Sequence, residues 1–147
     1  MPVDVTVATR INRPLPEVAG YAADPSNVPT WYRRIASVEW VTEPPPVPGS
    51  RMKFCARFMG RELRYTYEIA EFRPGESLTM RTSDGPFPMN TVYTWSAIGE
   101  EATQMTLRNH GNPVGFSKLT GPLMSIAMRR AMTQDLSALK RILEAAT

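Results

Sequence analysis

With 147 residues, 42% of them apolar and 21% charged, the chain has the length of one domain (1–147) and enough apolar content for one core, which excludes a disordered chain. No run approaches the roughly 18 apolar residues of a membrane helix, and the opening MPVDVTVATR carries an acid where a secretory signal would be apolar, so a cytoplasmic protein is expected. The net charge of +3 is spread over scattered arginines and lysines with no run longer than two; a nucleic-acid partner needs a clustered basic footprint, and none is expected. One cysteine, Cys55, excludes an intramolecular disulfide, and with the single histidine, His110, it does not make a zinc or haem ligand set, so no metal or cofactor is expected.

The first element is a strand. Val3, Val5, Val7 and Ile11 alternate with polar neighbours from Val3 to Asn12, the period of a half-buried strand. Pro14 and Pro16 open a short helix with Glu17 in its first turn, and Asp24-Pro25-Ser26 ends it and caps a second short helix through SNVPTWYRRI. A meander follows. Ser37–Thr42 reads as a strand, Glu43–Ser50 (EPPPVPGS) as a stiff connection, Arg51–Met59 and Arg61–Phe72 as strands joined at Gly60. Leu78–Thr82, Asn90–Ile98 and Thr103–Asn109 complete the set, separated by RPGE, SDGPFP and GEE turns. Seven short antiparallel strands result.

The period then changes. From about Phe116 or Gly121 onward, Met124, Met128, Ala131, Met132, Leu136, Leu139, Ile142 and Leu143 gather on one side at 100° per residue. This is a long amphipathic helix made to lie on a sheet. Asp135 stands inside its apolar arc, where a carboxylate needs a partner. Glu71, at the end of the fourth strand, raises the same question. Cys55 alternates with the inward residues and so points outward, between Lys53 and Arg57.

Strand, two short helices, six strands and a long helix form an α+β order. Arg10–Tyr32, with its proline-led helix and Asp-Pro…Trp segment, YEIAEF (Tyr67–Phe72), ATQMTLR (Ala102–Arg108) and AMRRAMTQDLSALKRILEA (Ala127–Ala145) resemble the SRPBCC superfamily. That superfamily includes START domains and the birch-pollen-allergen type, and the resemblance is above all to its small bacterial polyketide cyclase/dehydrase members. It covers nearly the whole chain. It implies a helix-grip fold, a curved seven-stranded sheet around the C-terminal helix, with an elongated cavity between them for an apolar molecule.

On that reading the alternating set Phe54, Phe58, Tyr65, Tyr67, Met80, Tyr93, Trp95 and Leu107 forms the cavity wall, and Met124, Met128 and Met132 face it from the helix. Polar candidates are Arg108 and His110 at the end of the last strand and Asp135 on the helix, with Asp135 expected to pair with Arg108 or a tyrosine. The Pro-rich connection, the SDGPFP turn and GNPVG (Gly111–Gly115) are candidate gates, with hinges at Gly49, Gly85 or Gly111. Walker, dinucleotide, G-x-S-x-G and His-x-x-x-His motifs are missing from the sequence, and no catalytic residue is assigned. The expected function is therefore binding or transport of a small hydrophobic ligand, lipid or polyketide-like. The alternatives are a polyketide cyclase/aromatase and a protein-interaction module of the chaperone-ATPase-activator or toxin–antitoxin kind. Edge strands leave pairing in a homodimer open.

Overall fold

A computed structural model describes residues 3–58, 60–85, 87–112 and 121–146. The elements are β1 (Val3–Ile11), α1 (Leu15–Ala22), α2 (Val28–Trp31), β2 (Ile35–Trp40), β3 (Arg51–Phe58), β4 (Arg61–Arg73), β5 (Ser77–Asp84), β6 (Met89–Ile98), β7 (Ala102–Gly111) and α3 (Gly121–Ala145). A 3-10 turn, Pro25–Asn27, joins the short helices, and Asp24 caps it by accepting the Ser26 N–H at 2.9 Å. The strands form one antiparallel sheet in the order β1-β7-β6-β5-β4-β3-β2. This is the α+β helix-grip architecture expected from the sequence.

Alternation puts Val3, Val5, Val7 and Ile11 of β1, Met105 and Leu107 of β7 and Tyr93 and Trp95 of β6 on the buried face. Against it lies α3, whose Met124, Met128, Met132, Leu136, Leu139 and Leu143 are all buried. The 116–120 part of the expected helix lies outside the described residues. A β-bulge at Ala70 lets Glu71 pair with Thr79 while Ile69 pairs with Met80, which shifts the alternation by one. Glu71 is thereby turned to the exposed face, where it pairs with Arg73 at 2.8 Å.

The helix also covers the outer edge of β1. Arg129 donates to the Thr6 carbonyl at 2.9 Å and Lys140 to the Arg10 carbonyl at 2.7 Å, so acceptors that would invite another strand are taken. At the far end the Arg13 guanidinium donates to the carbonyls of Leu143, Glu144 and Ala146. A cation placed on the last carbonyls of a helix satisfies them and opposes the negative end of its dipole.

Gly85 and Gly111, expected as hinges, are places of close backbone approach. A Cβ on Gly111 would lie 2.4 Å from the Pro88 carbonyl oxygen and 2.8 Å from Met89 Cα; one on Gly85 would lie 2.8 Å from Tyr65 Cβ. Gly111→Ala is therefore expected to force β6 and β7 apart at this end and to cost about 1–3 kcal/mol, as overpacking does. Chemical denaturation of the variant measures this; unchanged stability would show that the strand ends give way freely.

Candidate ligand-binding site

The grip leaves a gap. Between the sheet and the N-terminal half of α3 lies a cavity of about 150 Å³. Its wall comes from β3 (Phe54, Ala56), β4 (Leu63, Tyr65, Tyr67), β5 (Met80, Thr82), β6 (Met89, Thr91, Tyr93) and β7 (Asn109). The helix adds Met124, Met128, Ala131, Met132 and Asp135, and Tyr32, Arg34 and Ile35 close the side toward α2. Aromatic contacts stiffen one wall. Phe54 stacks on Tyr65 with ring centroids 5.5 Å apart, and Tyr65 meets Tyr67 edge-on at 5.0 Å. The methionines opposite are unbranched and adapt to irregular guests.

Polar groups enter in two clusters. On the first, the hydroxyls of Tyr32 and Tyr93 are 2.8 Å apart and Asp135 lies nearby. On the second, the Tyr67 and Thr91 hydroxyls are 2.8 Å apart, and Thr91 donates to Asn109 Oδ1 at 2.6 Å. Burial pushes the Tyr67 phenol up to about 12 and the Tyr32, Tyr65 and Tyr93 phenols well above their ordinary range. At neutral pH all four are therefore neutral hydroxyls. Asp135 is 5% exposed, and its carboxyl is raised to about 6 by desolvation, opposed by the Arg33 N–H and the Arg34 and Arg33 charges. Its Oδ1 accepts the backbone N–H of Arg33 at 3.0 Å.

The expected pairing of Asp135 with Arg108 is thus incorrect. Leu107 points inward, so Arg108 points outward, where it grips Asp4 with two bonds of 2.8 and 2.7 Å. That bond is the main reason the Asp4 carboxyl lies below its usual range. His110 shares this outer face, across from Asp4, and neither residue borders the cavity. The inward residue of that stretch is Asn109. Trp95 and Leu107 are buried but belong to the packed part of the core, outside the cavity wall. Phe58 ends β3 opposite Arg61, and its side chain lies outside the described residues. The other predicted wall residues, Phe54, Tyr65, Tyr67, Met80, Tyr93, Met124, Met128, Met132 and Asp135, come together as expected.

The gates divide in the same way. Phe87 of the SDGPFP turn lines the cavity, while Pro86 and 113–115 of GNPVG lie outside the described residues. The Pro-rich connection sits at the opposite end of β3. Its Gly49 donates to the Ile69 carbonyl at 2.8 Å and it contributes no lining residue. Cys55 faces away from the cavity, with its Sγ 3.5 Å from a Glu62 carboxylate oxygen.

A curved antiparallel sheet that holds a long helix over an apolar cavity defines a helix-grip protein of the SRPBCC type. More particularly, residues 2–144 match the model of the polyketide cyclase/dehydrase and lipid transport family, and the chain belongs to that family. Solved structures agree on the fold. A protein from Thermus thermophilus is similar with a TM-score of 0.80 at 20% identity, over 99% of each chain. The Zhui aromatase/cyclase from a Streptomyces species is similar with a TM-score of 0.80 at 15% identity, over 98% of this chain and 94% of that one. A START superfamily protein from Mycobacterium smegmatis reaches 0.84 at 11% identity, over 98% and 99%. Comparison with curated proteins gives no match. Among the described residues, no helix is long and apolar enough to cross a membrane.

Proposed function

We propose that this protein binds and carries a small hydrophobic molecule in the cavity between the sheet and α3. The observation that carries the reading is the void itself: about 150 Å³, walled mainly by aromatic and methionine side chains, with two hydrogen-bonded polar clusters and, beside them, Arg34 and Thr82. An apolar cavity of roughly this volume takes a benzene-sized guest, so the buried part of the ligand is one ring or a short apolar segment. A long acyl chain would have to extend out of the cavity. Removal of apolar surface from water drives binding at about 25 cal/mol per Å², less the cost of association.

A cyclase or aromatase reading draws on one feature, the Asp135 carboxyl. Among the described wall residues it is the group whose charge changes near neutrality, with a carboxyl raised to about 6 beside neutral phenols, as proton transfer requires. The protein-interaction reading has no use for an open cavity, and no nucleic acid or second copy of the chain is needed for either of the others.

Native mass spectrometry of protein purified without detergent, followed by organic extraction, tests the carrier reading. A reproducible apolar adduct is expected. Bare protein that also takes up no ring-sized apolar probe such as toluene would overturn it.

A further inference from the structure

Asp135 is placed as no merely structural carboxylate needs to be. The residue is 5% exposed and lines the cavity, and only Oδ1 is engaged, by the Arg33 backbone N–H at 3.0 Å. Oδ2 has no hydrogen-bond partner among the described residues, nor is it sealed from space as a buried orphan. Asp135 is a residue of the cavity wall, so a guest in the cavity lies beside its carboxyl. A buried acceptor left open in this way is costly unless something donates to it.

The surroundings say what kind of donor. The groups that face Asp135 are Tyr32, Arg33 and Arg34 from the α2–β2 connection, Tyr65 from β4 and Tyr93 from β6. One phenolic proton is spent on the 2.8 Å bond between the Tyr32 and Tyr93 hydroxyls, and among the described residues none of the three tyrosines donates to Asp135, whose one hydrogen bond comes from the Arg33 N–H. The Arg33 and Arg34 guanidiniums already answer the carboxylate's charge, and Arg34 lines the same cavity, so a cationic ligand group would meet a cation of the protein. An anionic head would meet the carboxylate. A neutral hydroxyl meets neither and supplies the missing donor.

We propose that Asp135 is the specificity-determining residue of the cavity, and that the ligand is a ring-sized apolar molecule presenting a neutral hydroxyl to its Oδ2. This deepens the carrier reading and rests on it. Discrimination follows from protonation. When ionised, the carboxylate only accepts, so it rewards a hydroxyl and penalises an acceptor such as a carbonyl. When protonated, at pH below about 6, it can donate, and the penalty on the carbonyl is relieved.

The test is isothermal titration of the full chain with p-cresol, toluene and p-tolualdehyde, which share a ring and a methyl group or its place, at pH 5 and pH 8. At pH 8, p-cresol is expected to bind about tenfold tighter than toluene, the scale of a hydrogen bond to a charged group, and p-tolualdehyde weaker than toluene. From pH 8 to pH 5 the two polar ligands are expected to move in opposite directions, with toluene unchanged. In Asp135→Asn the amide oxygen keeps the Arg33 N–H and the NH2 group faces the cavity, so p-cresol exchanges a bond to a charged acceptor for a weaker neutral one and most of its advantage goes, the aldehyde gains and the pH dependence disappears. The pH comparison on the native chain needs no variant. A p-cresol to toluene ratio near one at both pH values, or a ratio and pH dependence that survive Asp135→Asn, would overturn the assignment while toluene binding keeps the carrier reading. Failure of all three ligands to bind would remove both.

Discussion

Replacing Ala131 by phenylalanine is expected to abolish uptake of a ring-sized ligand without lowering the melting temperature. Ala131 is 8% exposed and stands on the inner face of α3, on the cavity wall between Met128 and Asp135. Helical side chains lean toward the N-terminus of their helix, which here is the end where Met124 and Met128 border the void. The introduced ring therefore occupies the space of the guest. Burial of a phenylalanine side chain contributes roughly 1.5–3 kcal/mol, against a loss of helix propensity of at most about 0.7 kcal/mol. Filling an existing void avoids the usual cost of overpacking. A thermal melt and a toluene titration on the same preparation check both halves. Retained affinity would mean that the ligand sits elsewhere, and a strong fall in melting temperature would mean that the void closes in the native state.

Which parts of this site could be read in the sequence follows from the physics of alternation. A strand exposes every second residue to one face, so the inward set Phe54, Tyr65, Tyr67, Met80 and Tyr93 was legible, as was the helical arc from Met124 to Leu143. The same rule, extended from Leu107, assigns Asn109 to the cavity and sends Arg108 and His110 outward. Choosing the latter two on chemical character overrode the period that identified their neighbours. Thr91 was likewise available by counting back from Tyr93 and Trp95. Glu71 was not legible, because the bulge at Ala70 shifts the alternation and no glycine marks it. Nor were Tyr32 and Arg34, which reach the cavity from a connection with no period of its own. The division of the buried face into a packed part holding Trp95 and Leu107 and an open part under Met124 and Met128 depends on where α3 sits over the sheet, which pattern does not encode.

Asp135→Asn is expected to stabilise the protein at pH 8 by about 1–3 kcal/mol and to leave it unchanged at pH 4. The carboxyl has an ordinary value of 3.8 and is raised to about 6 in the folded chain, chiefly because burial disfavours the charged form. Between these values the folded state binds the proton and the unfolded state does not, so stability falls as pH rises through this window. Above it, the folded state carries the full penalty, which for a shift of this size is roughly 3 kcal/mol. Asparagine keeps the shape and the acceptor for the Arg33 N–H at 3.0 Å and carries no charge. Carboxylates such as Asp4, Glu62 and Glu144 lie below their usual range through their hydrogen bonds and act in the opposite direction, but they are common to both proteins and cancel in the difference. Urea denaturation of both chains from pH 4 to pH 8 measures it. Equal stability at every pH would show that water reaches the carboxylate freely in the native state. A difference that grows through the window would show a chain that keeps a destabilising charge at the wall of its cavity, one that the Arg33 N–H and the Arg34 and Arg33 charges offset only in part.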